Sequence, residues 1–162
     1  MSPARPCTLY DGKHYEFSES VGHQLANLMI MMRREVEVRM ATHGLTDAQW
    51  KPLWMISIGR ATTAIELARE MDVDAGAITR LLDRLEAKGL VERLRSAADR
   101  RVVQLRLTPA GDAAAAKVPH VLASVNNDFL QGFNESEWKQ LRKLLDRMAA
   151  NGHAMLMHKD PA

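Results

Sequence analysis

The chain has 162 residues, of which only one is a cysteine and 5% are aromatic. A single cysteine excludes a disulfide within the chain. No apolar run approaches the roughly 20 residues that a membrane-spanning helix needs, and no signal-peptide pattern is present. The sequence also lacks a glycine-rich phosphate loop, a nucleophile elbow and a His-Glu-x-x-His metal pattern. We therefore expect a cytoplasmic protein that is not an enzyme and has no metal or cofactor.

Positive and negative charges are nearly balanced, because the chain has 22 Lys and Arg residues and 20 Asp and Glu residues, which gives a net charge of +2. The protein is therefore not a polycation, and any binding to nucleic acid must come from local clusters of cations. Hydrophobic residues make up 46% of the chain, which is enough to form a core. The length suits one domain with helical extensions.

The stretch from Ala61 to Thr108 carries the most informative pattern. It begins with a short predicted helix whose inward apolar side chains recur every three or four positions: Ile65, Leu67, Ala68 and Met71. Thr62 or Thr63 offers the N-cap hydroxyl, and Glu66 follows Thr63 at the spacing of a capping box. A turn through Asp72 to Gly76 then leads to a second helix.

The second helix is predicted to start near Asp74, to run to Lys88 and to close at Gly89, which can adopt the left-handed conformation. Its inward side chains are Ile78, Leu81, Leu82 and Leu85, and its outward ones are Ala75, Gly76, Thr79, Arg80, Asp83 and Arg84. Small residues at the start of this face allow close approach to the base edges of a major groove, and the cations then reach bases and phosphates. The alternative is an ordinary solvated helix face with scattered charges.

A predicted hairpin favours nucleic-acid binding. Residues 90–94 and 102–107 alternate as two strands, and the segment between them contains Arg95, Asp99, Arg100 and Arg101. Arg93 and Arg106 lie on the strands, and nearby carboxylates look too few to neutralise these cations. A polyanion supplies the missing charge, and an arginine at a hairpin tip fits a narrow minor groove. We interpret Asp99 as a partner that orients a neighbouring arginine.

In combination, these motifs resemble the MarR family of bacterial transcription regulators. They are the helix pair, the run Ile78-Thr-Arg-Leu-Leu-Asp-Arg-Leu-Glu-Ala-Lys-Gly-Leu-Val, the triplet Asp99-Arg-Arg and the run Leu105-Arg-Leu-Thr-Pro-Ala-Gly111. The resemblance implies a mostly α fold with a small β-hairpin wing, a winged helix-turn-helix, and a homodimer on a palindromic DNA operator, in the bacterial nucleoid. It also implies that Arg101 enters the minor groove. The predicted DNA-binding residues are then Thr63, the six outward residues of the second helix, and Arg95, Asp99, Arg100 and Arg101 of the wing.

Long amphipathic helices are predicted on both sides of this region. One begins at Ser18 or Ser20, ends near His43, and repeats Val21, Leu25, Leu28, Met29, Met32, Val36 and Met40. After it, Thr46 caps a helix to about Ile58. Beyond the wing, Thr108 and Pro109 start a helix that Pro119 bends or interrupts, and Asn134 with Glu137 opens the last one. We divide the chain into an arm (1–17), a helical dimerisation region (18–45 and 109–158) and a winged domain (46–108).

Small aromatic acids often bind MarR-type regulators between the dimerisation helices and the winged domain. The resemblance therefore suggests a pocket for an aromatic carboxylate or phenolic effector. Its candidate residues are His23, Arg39, His43, Trp50 and Trp54, with Arg33 and Arg34 as further carboxylate partners. The alternatives are that the tryptophans are plain core and that the arginines are solvated surface.

Three other hypotheses stay open at this point. Some family members sense peroxides through an N-terminal cysteine, but Cys7 precedes the first long helix, where that thiol lies. His153 and His158 lie near each other, as a metal-responsive regulator would need. An architectural DNA-binding protein would use the wing without any effector. The sequence does not identify the operator, the effector, or whether the protein represses or activates.

Overall fold

The computed structural model describes residues 8–95 and 103–157, which form two compact units divided between Val125 and Asn126. A 3₁₀ turn at Phe17–Glu19 precedes nine longer elements within the described chain. In order they are α1 (Val21–Thr42), α2 (Asp47–Ser57), α3 (Ala64–Met71), α4 (Ala75–Ala87), β1 (Val91–Arg95), β2 (Val103–Leu107), α5 (Pro109–Ala115), α6 (Val118–Phe129) and α7 (Glu135–Met157). The prediction of a mostly α fold with a small β-hairpin wing is confirmed. None of the described helices is long and apolar enough to cross a membrane.

Local capping signals set most of the helix boundaries. Ser20 caps α1 by accepting a hydrogen bond from the backbone N–H of His23. Thr63 and Glu66 cap α3 reciprocally, as the sequence predicts. Asn134 and Glu137 do the same before α7, where each side chain accepts from the other residue's backbone N–H at 3.0 and 2.9 Å. These pairs satisfy N–H groups that a helix start would leave without partners.

The core of the first unit forms where α4 packs under the hairpin. Ile78, Leu82 and Leu85 are each only 1% exposed, and Leu53 of α2 and Leu67 of α3 are fully buried. The predicted inward position of Ile65 is wrong, because this residue of α3 is 81% exposed. Ile65 belongs to the first turn of an eight-residue helix. A helix this short covers its inward face with Leu67 and the half-buried Ala68 and Met71.

The hairpin pairs β1 and β2 antiparallel, with Val91 opposite Leu107 and Arg95 opposite Val103. Strand β1 begins one residue later than the sequence pattern predicts, and residue 102, the predicted start of the second strand, lies outside the described residues. Leu90 is not in β1, because its N–H donates to the carbonyl of Leu85 and closes the end of α4. Gly89 has a φ of 66°, so it takes the predicted left-handed conformation.

The start of α5 packs closely on the end of α4. Thr108 donates its hydroxyl to the carbonyl of Gly89 at 2.6 Å, and its N–H donates to the carbonyl of Leu90 at 3.1 Å. As predicted, Pro109 occupies the first turn of α5 and the helix is interrupted just before Pro119. A Cβ at Gly111 would lie 1.9 Å from the Leu90 carbonyl oxygen. Only glycine therefore allows this approach of α5 to the chain between α4 and β1.

Gly111→Ala should lower the free energy of unfolding by about 1–3 kcal/mol, because the added methyl meets backbone that cannot swing aside. Urea denaturation of the purified protein measures the change. Gly22→Ala in α1 is the matched control, since nothing lies within 4 Å of the added Cβ there. We expect the control to be neutral or to stabilise by about 0.5–1 kcal/mol. An unfolding free energy for Gly111→Ala equal to that of the unsubstituted protein would contradict the close packing.

Candidate nucleic-acid interface

Helix α4 starts at a turn that fixes its direction. Asp72 ends α3 in the left-handed conformation, with a φ of 53°. Asp74 then caps α4 by accepting from the N–H of Ala77 at 2.9 Å. Asparagine and aspartate tolerate the left-handed region better than most residues, which explains how a non-glycine residue occupies this turn. The two short helices are thereby joined with only Asp72, Val73 and Asp74 between them.

Burial of one face of α4 leaves the predicted DNA-facing residues exposed on the other. Ala75, Gly76, Thr79, Arg80, Asp83 and Arg84 are all exposed. A Cβ at Gly76 would lie 3.0 Å from Oδ1 of Asp74 and 3.6 Å from a terminal guanidinium nitrogen of Arg80, so the tight approach is to the capping carboxylate. The Thr79 hydroxyl donates to the carbonyl of Ala75 at 2.9 Å, so its oxygen remains able to accept.

The arginines of α4 differ from those of the hairpin in their ion pairing. Within the described residues, no ion pair joins Arg80 or Arg84 to a carboxylate. Arg93 of β1 instead contacts Asp83 at 2.7 Å and Glu86 at 3.1 Å. Carboxylates thus neutralise a strand arginine that the sequence pattern leaves without partners. Asp83, expected at the DNA surface, is one of them.

Arg106, the second strand arginine, lies 3.7 Å from Glu92, the residue opposite it on β1. Arg106 is 72% exposed, so solvent weakens this pair. Arg95 ends β1 and is also exposed. The remaining wing residues of the predicted set, Asp99, Arg100 and Arg101, lie outside the described residues.

The hairpin is also attached to the start of α3. The N–H of Leu105 donates to the carbonyl of Thr62 at 2.8 Å, and Thr63 forms a bridge with Gln104. Glu66 holds the same segment, because its carboxylate accepts from the N–H and the hydroxyl of Thr62 and from the N–H of Thr63, at 2.7, 2.8 and 3.1 Å. Thr63, a predicted DNA contact, is half-buried and accepts from the N–H of Glu66.

The predicted effector residues do not form a single group within the chain. His23 lies near the start of α1, where its ring is 4.2 Å from that of Phe17 and its Nε2 is 2.8 Å from the amide nitrogen of Asn27. It is 16 residues before Arg39 on the same helix, or roughly 24 Å along the axis at about 1.5 Å per residue. Because this separation follows from the length of the helix, the sequence alone could have shown that His23 and Arg39 do not share one site.

Arg39 and His43 do line one cleft of about 250 Å³, together with Thr42, His120, Val121 and Ser124. Arg39 donates to Glu35 at 2.8 Å and to the hydroxyl of Ser124 at 2.5 Å. Sequence reasoning missed His120 and Ser124, because no local pattern brings α6 to the end of α1.

Trp50 and Trp54 lie on α2 and outside that cleft. Trp50 is buried and donates its indole N–H to Asp47 at 3.0 Å, and Trp54 is half-buried. Arg33 and Arg34 line a separate shallow cleft with Ile30, Glu37 and Asp47. In the part of the chain that the structure describes, no three potential metal ligands come together. His158 and Cys7 fall outside that part.

The winged helix and its surroundings match known regulators. The model of the MarR family matches residues 45–103. The structure of the transcriptional regulator PA3341 is 38% identical to this chain with a TM-score of 0.72, and the match covers 83% of this chain and 99% of that one. A cysteine-to-serine variant of E. coli MarR, solved with operator DNA, is 31% identical with a TM-score of 0.64, over 77% and 93% of the two chains. This chain belongs to the MarR family.

Membership makes the protein a DNA-binding transcription regulator, and it confirms the resemblance seen in the sequence. Another family member of similar fold is BpsR of Bordetella bronchiseptica, whose DNA binding is regulated by 6-hydroxynicotinic acid. It is 26% identical with a TM-score of 0.69, over 83% of this chain and 96% of that one. As MarR-family regulators do, this chain presents an exposed helix face beside a β-hairpin.

The lowered pKa of Glu66 predicts that the stability of this cap depends on pH. The hydrogen bond from the Thr62 N–H is the main cause that lowers the pKa of Glu66 below its usual value, and the Thr62 hydroxyl adds to it. A carboxyl whose pKa is lower in the folded state stabilises the protein above its unfolded pKa. That contribution is lost as the pH falls through the folded pKa.

We expect the free energy of unfolding of the unsubstituted protein to exceed that of Glu66→Gln by more at about pH 6 than at about pH 3, because the contribution of the carboxylate declines as the pH falls through its folded pKa. Chemical denaturation at both pH values measures the two differences. Asp112→Asn, in the first turn of α5, provides a control in a helix away from this segment. A difference that does not change with pH would show that the charge of Glu66 contributes nothing at this cap.

Proposed function

We propose that this protein is a repressor that binds a palindromic operator as a homodimer and is released by a small aromatic acid or phenol. The observation that carries the DNA-binding part is the outward face of α4, where Arg80 and Arg84 are exposed and have no carboxylate partner among the described residues. Ala75 and Gly76 at the start of that face allow the helix to enter a major groove.

The apolar surface of both units supports the homodimer. Val21, Leu28, Met29 and Val38 of α1 are between 38% and 56% exposed. On α7, the exposed apolar side chains include Trp138, Leu144, Leu145, Met148 and Met155. Large exposed apolar faces mark interaction surfaces in soluble proteins. A second copy would cover the predicted dimerisation region (18–45 and 109–158) and would give the two-fold symmetry of a palindromic operator.

The wing completes the proposed mode of DNA binding. The exposed Arg95 brings one cation to the end of β1. By the family resemblance, Arg101 enters the minor groove. Arg100 is proposed as a further DNA contact, and Asp99 as the partner that orients a neighbouring arginine. Thr63 and Thr79 are proposed as contacts through their hydroxyl groups. Such a protein works in the cytoplasm, on the bacterial nucleoid.

The cleft between the end of α1 and the start of α6 supports the effector part of the proposal. Its polar side chains include Arg39, His43, His120 and Ser124, and a carboxylate is a natural partner for such a set. A carboxylate bound there would compete with Glu35 for Arg39. BpsR, whose DNA binding responds to an aromatic acid, sets a precedent in the family. His23, Trp50 and Trp54 lie elsewhere in the chain, so this proposal keeps Arg39 and His43 from the original set.

The DNA-binding proposal is tested by Arg80→Ala on an operator isolated from genomic fragments. A base-contacting arginine contributes about 1–3 kcal/mol of discrimination, so operator affinity should fall by about 5- to 150-fold, and affinity for random DNA by much less. Lys117→Ala, which removes one cation outside the winged domain, should leave both affinities nearly unchanged. Fluorescence anisotropy at one fixed salt concentration measures them. Equal losses on operator and random DNA would assign Arg80 to phosphate contact only.

The effector proposal is tested with salicylate as a probe aromatic acid. We expect it to lower operator affinity by about 5- to 150-fold, the usual range of allosteric coupling. The His43→Ala/His120→Ala variant should bind the operator normally without salicylate and should lose the response. His23→Ala, outside the cleft, should keep it. A response that survives the double substitution would place the effector elsewhere, and no response to any aromatic acid would favour an architectural DNA-binding role.

A further inference from the structure

Arg93 of β1 joins the hairpin to α4 through charge. Its guanidinium contacts Asp83 at 2.7 Å and Glu86 at 3.1 Å, and one of its nitrogens lies 3.4 Å from the carbonyl oxygen of Thr79. The Arg93 side chain is 28% exposed, compared with 72% for Arg106 on the other strand. Arg93 is therefore partly shielded from solvent, and its fork geometry suits two carboxylates at once.

The partners of Arg93 all lie along one flank of α4. Residues three, four and seven apart on a helix are neighbours on its surface, so Thr79, Asp83 and Glu86 form one row. This row separates the buried face of Ile78, Leu82 and Leu85 from the outward face of Gly76 and Arg80. A link at this position restrains the rotation of α4 about its axis relative to the hairpin. The short connection through Lys88, Gly89 and Leu90 fixes the end of α4. The ion pairs of Arg93 hold the flank formed by Thr79, Asp83 and Glu86.

The same contacts change the charge that α4 presents to a polyanion. Asp83 and Glu86 carry two exposed carboxylates next to the face that holds Arg80 and Arg84. Without a partner, each carboxylate would repel DNA phosphates within a Debye length, which is about 8–10 Å at ordinary salt. Arg93 neutralises part of that charge through its contacts with both carboxylates. The cations of α4 are thereby left as the main charges at the proposed groove.

We propose that Arg93 is a positioning residue for operator binding, which acts through Asp83 and Glu86 and makes no contact with DNA itself. The inference rests on the proposed function, because it takes α4 as the helix that enters the major groove. The basic hairpin predicts that a strand arginine binds DNA phosphate, whereas the role proposed for Arg93 is to hold α4. The cation is needed for the orientation and the charge of α4 and does not bind phosphate.

Arg93→Lys separates the two roles. Lysine keeps the positive charge and replaces arginine well at a single phosphate, but it cannot hold two carboxylates in a fork. We expect operator affinity to fall by about 5- to 10-fold, within the coupling found between residues of one ion-pair network. Arg93→Gln should cause a similar loss. For both variants, the slope of log K against log salt should stay close to that of the unsubstituted protein, because no phosphate contact is lost.

The matched control is Arg106→Gln, which removes one cation from the same hairpin and only a loosely held ion pair. It should weaken operator binding less than Arg93→Lys does, although Arg93→Lys loses no charge. A thermal melt of each variant checks that the domain is folded. The substitutions are repeated in an Asp83→Asn/Glu86→Gln background, where Arg93 has lost both of its carboxylate partners. There, Arg93→Lys should cost no more than about twofold.

Three results would overturn the inference. The first is a folded Arg93→Lys variant that binds the operator as tightly as the unsubstituted protein. The second is a salt slope for Arg93→Gln that falls by about 0.9 per half-site, which is the mark of a lost phosphate contact. The third is an equal loss for Arg93→Lys in the original and the neutralised backgrounds. If the unsubstituted protein binds no genomic fragment, the proposed function fails instead, and this outcome is recognised before any variant is made.

Discussion

The burial of three aliphatic side chains of α4 is the constraint on which the DNA-binding surface depends. Ile78, Leu82 and Leu85 are each 1% exposed, and burying a side chain of this size contributes about 1.5–3 kcal/mol. Because a helix is rigid about its axis, anchoring one face decides where every other side chain points. The small residues and arginines of α4 are exposed for this reason, and the ion pairs of Arg93 add a second restraint on the rotation of the helix.

Ion pairing divides the cations of the winged region into two kinds. Arg93 and Arg106 of the hairpin lie near carboxylates of α4 and β1, whereas Arg80 and Arg84 have no such partners within the described chain. Counting arginines along the sequence treats all four alike. The structure instead shows that carboxylates neutralise Arg93 closely and Arg106 only loosely. Among the described residues, the exposed cations available to a polyanion include Arg80 and Arg84 on the helix and Arg95 at the end of β1.

The sequence predicts best those features that depend on residues three or four positions apart. The reciprocal caps at Thr63 and Asn134 and the left-handed Gly89 follow from such local patterns and are confirmed. Features that join distant segments could not be predicted in this way. The exposure of Ile65, the pairing of Arg93 with α4 and the place of His120 beside Arg39 all depend on how elements pack. No periodicity within one helix or strand contains that information.

The attachment of β2 to the segment before α3 has a consequence for how the protein behaves at high concentration. Thr62 and Thr63 cover the outer side of β2, so β1 is the edge of the small sheet in the described chain. An open edge can accept a strand from another molecule and start aggregation. Here the edge strand is only five residues long and carries Glu92, Arg93 and Arg95. Short length and charge of both signs discourage the addition of a strand from another molecule at this edge.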